Sequence, residues 1–144
     1  MTREQLAGIF PDAQTIDMLC DLWDVMQAWD DAEDGEIADH SDAYRKAMIN
    51  LPNNPLYFSC QIPLLVSQAY YDWQAANQFE RKGIELHKAY MLRAGWYRIV
   101  ISVVHFIHGT IEAERLAPVV WSIYGETFED YKREMICQIQ SQER

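Results

Sequence analysis

Apolar residues in this chain recur every three or four positions, and few segments alternate between apolar and polar side chains. The first spacing is typical of helices that bury one face, whereas strict alternation is typical of strands. The pattern predicts five or six helices, including a long one that ends near Asp31, a second that ends near Lys82, and a third over residues 84–108. We therefore expect an all-α fold, a single-domain helical bundle that covers residues 1–144.

Capping residues and helix breakers predict where these helices begin and end. Ser41 is a good N-cap for a helix that continues to Asn50, and the proline-rich segment 51–55 is expected to be a loop. Gly35 is expected to end the first long helix in the left-handed conformation. Thr127 is expected to begin the last helix, through a capping box with Asp130.

The composition indicates a folded domain outside the membrane. Hydrophobic residues make up 49% of the chain, which is enough for a sizeable core. No apolar run reaches the roughly 20 residues that span a bilayer, and the N-terminus does not have the pattern of a signal peptide. Cys20, Cys60 and Cys137 are widely spaced, which predicts buried free thiols in a reducing compartment, the cytoplasm.

Negative charge is concentrated in the N-terminal third. The formal net charge is −10, and residues 1–42 hold twelve acidic residues against one basic residue, while residues 43–144 hold ten against eleven. A negative field repels nucleic acids and membrane headgroups. The distribution therefore predicts no direct nucleic-acid binding and no membrane binding, and it favours a basic protein surface or a cation as the partner.

One helical face in the first long helix is acidic. At about 100° per residue, a single narrow stripe contains Asp17, Asp21, Asp24 and Asp31, and this stripe is expected to be solvated and to bind the partner. Asp30 falls instead within the apolar arc, with Asp34 near its edge. A carboxylate in that position must be solvated, protonated, paired or metal-bound, because burying it alone is costly.

The next two helices also place polar residues off their solvent faces. The core-facing polar set predicted from all three helices is Asp30, Asp34, Asp72, Asn77, Glu80 and Arg93, with His108 and Glu112 able to join at a helix junction. One interpretation is an internal network in which Arg93 pairs with Asp72 or Glu80. The other is a polar pocket in which Asp30, Asp34, Asp72 and Glu80 hold Mg²⁺.

Two short segments carry a family resemblance. The sequence DDAED, Asp30 to Asp34, matches the spacing DDxxD, and NQFERKGIE, Asn77 to Glu85, places its first and last residues like the ends of NxxxSxxxE. Together they resemble the two magnesium-binding motifs of class I isoprenoid (terpenoid) synthases. The resemblance implies that carboxylates on two facing helices hold magnesium ions that bind a diphosphate. Arg81 stands where the second motif has a hydroxyl.

Other catalytic patterns are incomplete. Glu33 and Glu36 give the ExxE half of the motif of all-α nucleotide pyrophosphohydrolases, but no clean ExxD follows. His105 and His108 lie about one helical turn apart, which could begin a metal site or be structural. The chain contains no phosphate-binding loop and no nucleophile-elbow motif. These patterns argue against an enzyme without excluding one.

Aromatic residues near the C-terminus provide a second candidate interface. Either these rings belong to the core, or they form an exposed anchor for a partner or for a second copy of the chain; they are Trp121, Tyr124, Phe128 and Tyr131. Segments such as YYDWQAANQFE are similar in style to small helical proteins encoded by phages and prophages. That resemblance implies a cytoplasmic accessory or host-interaction protein.

The sequence thus predicts an acidic all-α binding protein that engages a basic protein surface through its N-terminal third. Two alternatives stay open. The first is a magnesium-dependent enzyme that handles diphosphates, and the second is a structural subunit of a homo-oligomer.

Overall fold

The computed structural model describes residues 2–36 and 38–143, and within these ranges all regular structure is helical, with no strand. The helices in chain order are α1 (Arg3–Ala7), α2 (Ala13–Glu33), α3 (Ser41–Arg45), α4 (Leu51–Asn53), α5 (Leu56–Ser59), α6 (Ile62–Lys82), α7 (Leu86–Leu92), α8 (Gly95–His108), α9 (Thr110–Ile123) and α10 (Phe128–Gln142), and a π-helical turn (Lys46–Asn50) joins α3 to α4. The all-α class is confirmed. The number of helices is larger than the predicted five or six because several short helices lie between the long ones.

Helix α8 lies at the centre of the main hydrophobic core, packed against α2, α6 and α9. Its buried side chains recur with helical spacing and are Trp96, Tyr97, Ile99, Val100, Val103 and Val104. Gly109 separates α8 from α9 with φ 89° and ψ 179°, a conformation that residues other than glycine rarely adopt. The direction of α9 relative to α8 therefore depends on this glycine.

Helix α2 is attached to α8 by both packing and hydrogen bonding. Leu19 and Leu22 of α2 are buried in the main core. The indole N–H of Trp96 donates to the carbonyl oxygen of Leu19 at 3.0 Å, and the rings of Trp23 and Trp96 meet edge to face with centroids 5.0 Å apart. These contacts fix the position of the acidic helix relative to the centre of the molecule.

A second, smaller hydrophobic cluster joins α6, α7 and α10 around Ala76, Ala89 and Tyr131. Tyr131 is only 2% exposed, and the other three residues of the predicted aromatic anchor, Trp121, Tyr124 and Phe128, are partly buried in one of the two clusters. Of the two alternatives for these rings, the core is therefore correct and the exposed anchor is wrong, because the rings complete the core at the α9–α10 connection.

The predicted continuous helix over residues 84–108 is broken. Helix α7 ends at Leu92 and α8 begins at Gly95, so Arg93 lies between two helices. At Gly95 the backbone of α8 comes so close to α6 that an added Cβ would lie 2.8 Å from the Cβ of Ala69. The break allows both halves to pack against α6, which a straight helix of that length could not do.

The region between α2 and α6 also differs from prediction. Helix α3 begins at Ser41 itself, so His40 and not Ser41 is its N-cap, and the carboxylate of Asp39 accepts the hydrogen bond of the Ser41 N–H at 2.9 Å. Residues 51–53 are helical and not a loop. Pro52 has no N–H to donate, and the π-helical turn that precedes it widens the helix there, with the Leu51 N–H bonding to Lys46.

Two predicted helix ends are confirmed. Gly35 follows α2 with φ 77°, in the left-handed region. At the start of α10, Thr127 is the N-cap and its hydroxyl accepts the hydrogen bond of the Asp130 N–H at 3.2 Å, but the Asp130 carboxylate accepts from Arg133, so the predicted capping box is only half formed among the described residues. Both ends follow from local chemistry that does not depend on the tertiary packing.

None of the helices in the described ranges has the length and apolar character needed to cross a membrane. All three cysteines are free thiols, as predicted. Their burial differs from the prediction, since only Cys60 is buried, while Cys20 is half-buried and Cys137 is exposed. The position of Cys137 on α10, next to the chain end, leaves it on the surface.

Candidate functional site: a polar network around Arg93 between two cavities

The guanidinium of Arg93 is the centre of a polar network inside the fold. Its Nε donates to Glu80 at 2.5 Å, and its Nη2 donates to the second oxygen of Glu80 and to the side-chain oxygen of Asn77. Its Nη1 donates to Asp30 at 3.0 Å. The planar donor set of arginine suits this arrangement, in which one side chain satisfies two carboxylates and an amide.

The network joins four parts of the chain because its members come from different elements. Asp30 is on α2, Glu80 is on α6, and Arg93 lies at the α7–α8 break. From α10, the Tyr131 hydroxyl donates to Glu80 at 2.8 Å, and from α6 the Trp73 indole N–H donates to Asp30 at 3.1 Å. Each carboxylate thus accepts both from Arg93 and from an aromatic donor.

The network carries a negative balance, since one guanidinium faces two carboxylates. Burial opposes the charge of Arg93, but the hydrogen bond and charge of Glu80, with the charge of Asp30, outweigh burial and raise the pKa of Arg93 above its ordinary value. Burial, reinforced by the hydrogen bond to Glu80, raises the pKa of Tyr131. Arg93 is therefore the permanent cation of the site, and Tyr131 is a neutral donor.

A first cavity of about 360 Å³ lies on one side of Arg93 and is called the aromatic cavity here. Its aromatic walls come from α2, α6, α8 and the end of α9, and they are Trp23, Trp73, Trp96, Tyr97 and Tyr124. Asp30, Arg93 and Glu126 supply its charged groups. Burial, followed by the charge of Glu134, raises the pKa of Glu126.

A second, more polar cavity of about 140 Å³ lies between α6, the end of α2 and α10, and Arg93 lines this cavity as well. Asp34 and Asn77 are also part of its wall. Burial, and then the charge of Asp30, raises the pKa of Asp34. The amide nitrogen of Asn77 is buried and has no hydrogen-bond partner among the described residues. Arg93 therefore forms the partition between an aromatic and a polar cavity.

The structure brings together most of the predicted inward-facing set, but Asp72 is an exception. The Asp72 carboxylate lies 3.4 Å from Arg98, in a separate cleft between α6 and α8. Of the two predicted partners of Arg93, Glu80 is correct and Asp72 is wrong, since Asp72 points to a different neighbour of α6.

The four predicted magnesium ligands, Asp30, Asp34, Asp72 and Glu80, are consequently not assembled around one point. In residues 2–36 and 38–143, no group of three or more His, Cys, Asp or Glu side chains is arranged to hold a metal ion. Arg93 supplies the positive charge between Asp30 and Glu80. A magnesium site at these carboxylates stays a prediction, and the geometry of the described residues gives it no support.

The histidines and the helix junction lie apart from the network. The His108 side chain is exposed and stacks near Phe10, with ring centroids 6.4 Å apart. Glu112 forms a bidentate hydrogen-bonded pair with Arg115 on its own helix. Neither joins Arg93, because the α8–α9 junction is at the other end of α8.

The acidic stripe of α2 is partly neutralised. Asp17 pairs with Arg3, and Asp24 pairs with Lys46 at 2.6 Å. The hydrogen bond to Asp24 is the main cause of the raised pKa of Lys46. Asp21 and Asp31 are half-buried, and burial raises the pKa of Asp21. The stripe is thus a surface of alternating paired and unpaired carboxylates.

An apolar groove of about 400 Å³ lies between α2 and the segment that contains α3 and the π-helical turn, and is called the α2–α3 groove here. It is lined by Val25, Ala28, Trp29 and Ala32 on one side and by His40, Ala43, Tyr44 and Ala47 on the other. Four alanines leave space between the two segments. Trp29 is 41% exposed and Tyr44 is 66% exposed, so large apolar surfaces face solvent at this groove.

Sequence reasoning missed Glu126 and the role of Tyr131. Glu126 lies in the connection between α9 and α10, where no helical periodicity indicates which way a side chain points. For Tyr131 the sequence left open a place in the core or in an exposed anchor, and it indicated no contact with Glu80. Its position four residues after the predicted N-cap Thr127, on the same face as Phe128 and Met135, was the signal that could have identified it as buried.

No family model, no curated protein and no solved structure matches this chain. The resemblances of its segments to isoprenoid synthases and to phage proteins therefore stay predictions.

Proposed function

We propose that this chain is a binding protein, folded as a single-domain helical bundle, whose acidic N-terminal third engages a basic protein surface. The observation that carries the proposal is the α2–α3 groove, an exposed apolar groove in the most acidic part of the chain. An interface that combines apolar contact with charge complementarity achieves both affinity and rapid association.

Each wall of the groove has a carboxylate next to it in the sequence. Asp31 precedes Ala32 on α2, and Asp39 precedes His40 before α3. Neither carboxylate forms an ion pair with a basic side chain in the described part of the chain. Beside them, Lys46 joins Asp24 to Asp42 and holds the two walls together.

The form of the groove fits a basic amphipathic helix. Small side chains on both walls admit the apolar stripe of a helix, as in other helix-in-groove complexes. Lysine or arginine on the flanks of that helix would face the unpaired carboxylates. Such a partner surface is the kind that also binds nucleic acids, and the acidic groove would compete for it.

The proposal can be tested with a pair of synthetic amphipathic peptides of roughly 18 residues, or five helical turns, that share a leucine stripe. One peptide has lysine on its polar face and the other has glutamate. The lysine peptide should bind and change the fluorescence of Trp29, with an affinity that falls as salt screens the charges. The glutamate peptide should not bind.

Matched variants locate the site. Asp31→Asn combined with Asp39→Asn should slow association with the lysine peptide and weaken its salt dependence. Glu114→Gln combined with Glu129→Gln, which removes the same charge from exposed positions elsewhere, should change neither. Equal effects of the two pairs would overturn the proposal. The proposal would also be overturned if light scattering showed a dimer in which a second copy of the chain occupies the groove.

A further inference from the structure

We infer that the aromatic cavity beside Arg93 is a binding site for an organic cation, an ammonium group carried on an apolar body. This inference is independent of the proposed function, because the cavity and the α2–α3 groove use different residues of α2. Trp23 and Asp30 line the cavity, whereas Val25 and Trp29 line the groove.

The size and walls of the cavity suit a small organic molecule. Its volume of about 360 Å³ is within the usual range for such sites, which is roughly 300 to 1,000 Å³. The rings support one another, since Trp23 meets Tyr97 edge to face and Tyr97 meets Tyr124 at a centroid distance of 5.0 Å. Faces of tryptophan and tyrosine attract ammonium groups through the ring quadrupole.

Several acceptors in the cavity have no protein partner. Both hydrogen bonds to Asp30 go to its Oδ1, which leaves Oδ2 without a donor among the described residues. The Glu126 carboxylate accepts no hydrogen bond from a side chain or a backbone N–H of those residues. The Tyr97 hydroxyl also forms no hydrogen bond within the described part of the chain, and it is open to solvent, since the amide nitrogen of Asn77 is the one buried side-chain polar atom without a partner there.

The combination of aromatic walls with free acceptor oxygens in one cavity is the observation that points to a ligand. An ammonium group that donates to Asp30, Glu126 and Tyr97 would satisfy all three at once. Its apolar body would lie against the tryptophan rings.

The charge balance selects a cation over an anion. Four of the five N–H groups of Arg93 are already used by Glu80, Asn77 and Asp30. With Glu126 added, three carboxylates surround this one guanidinium. An anion would meet that surplus of negative charge, whereas a cation would neutralise it and its charge would oppose the effect of burial, which raises the pKa of Glu126.

The ammonium could come from a free amine or from a lysine side chain of a partner protein, and calorimetric titration of the full chain distinguishes the two. The free-amine probe is 2-phenylethylammonium, with 2-phenylethanol and phenylacetate as its neutral and anionic analogues. The side-chain probe is a short lysine peptide with a norleucine peptide as its control. We expect at least one ammonium probe to bind about tenfold or more tightly than its uncharged analogue.

Three variants test the location. Glu126→Gln and Tyr97→Phe should each weaken binding of the ammonium probe several-fold, while Glu129→Gln, which removes an exposed charge outside the cavity, should leave it unchanged. Thermal unfolding verifies that Tyr97→Phe folds, which we expect because it removes only an unpartnered hydroxyl.

Binding of 2-phenylethylammonium supports a free amine as the ligand, and binding of the lysine peptide alone supports a side chain. The inference is overturned if neither ammonium probe exceeds its uncharged analogue, if phenylacetate binds as well, or if Glu126→Gln and Glu129→Gln have equal effects. Failure here leaves the peptide test of the α2–α3 groove unaffected, because Asp31 and Asp39 do not line the cavity.

Discussion

Replacing Arg93 with methionine tests whether the polar network holds the helices together. Methionine keeps much of the volume and flexibility of the arginine stem but removes the guanidinium. Asp30 and Glu80 would then lie close together without the cation that separates them. Trp73 and Tyr131 would still donate one hydrogen bond to each carboxylate, while the positive charge of Arg93 and its four hydrogen bonds would be lost.

The expected loss follows from burial. Removing one partner of a buried ion pair costs about 3–5 kcal/mol because the other charge is left buried and unpaired. The Glu80 side chain is 12% exposed and Asp30 is 35% exposed, so Glu80 contributes most of the cost and Asp30 can recover some hydration. We expect a loss near the lower limit, about 3 kcal/mol in the free energy of unfolding. For a chain of this length, that corresponds to a fall of about 10 °C in Tm.

Urea and thermal unfolding followed by circular dichroism at pH 7 measure this loss, and Arg98→Met provides the matched control. Arg98 is on the neighbouring helix α8 and pairs with Asp72 at 3.4 Å, but its side chain is 50% exposed. Exposed pairs contribute little, so its loss should be at most about 0.5 kcal/mol. Adding Glu80→Gln to Arg93→Met should restore about half of the lost stability, since it removes one of the two unpaired carboxylates.

Two results would refute this reasoning. Equal losses for Arg93→Met and Arg98→Met would mean that burial does not distinguish the two ion pairs. A further loss on adding Glu80→Gln would mean that the Glu80 carboxylate stabilises the fold independently of Arg93.

Three further outcomes are expected. Gly95→Ala should destabilise the fold by about 1–3 kcal/mol in urea unfolding, because its Cβ would overlap α6, whereas Gly8→Ala, with no such overlap, should be neutral or stabilising. Burial and a neighbouring carboxylate raise the folded-state pKa of Asp34 above its ordinary 3.8, so its ionisation destabilises the fold as the pH rises through that pKa. Asp34→Asn should therefore increase the free energy of unfolding at pH 7 by about 0.5 kcal/mol, which raises Tm. It should have no effect at about pH 2, where Asp34 is protonated in both the folded and the unfolded state. In thiol labelling of the native protein, Cys137 should react at once, while Cys60, whose pKa is raised by burial, should react only after unfolding.

The helical pattern predicted the inward direction of Asp30, Asn77 and Glu80 because these residues lie within long, regular helices. Asp72 is on the same helix as Asn77, but five positions apart at 100° per residue separates their side chains by about 140°. A helix with several neighbours has more than one buried face. The sequence showed that Asp72 lies off the solvent face, and it could not show that this face belongs to α8 and Arg98.

Arg93 was predicted to point inward from a helix that the structure does not contain. The chain breaks at this residue because α8 approaches α6 at Gly95, and a close approach between helices is invisible in a single sequence. The side chain still points inward, since the carboxylates that need it lie on α2 and α6. In this case the inward direction of Arg93 results from the need to pair buried charges, and the helical phase gave the same direction although the helix is broken there.

The acidic end of α2 illustrates the limit of motif reasoning in chemical terms. A carboxylate on the apolar face of a helix, such as Asp30, favours a positive charge nearby, but a magnesium ion and a guanidinium would bind the same oxygen atoms. The identity of that charge depends on which residue the fold brings opposite Asp30, and Arg93 is 63 positions away in the chain. The spacing within one helix therefore indicates where a cation is needed, whereas the tertiary structure determines which cation is there.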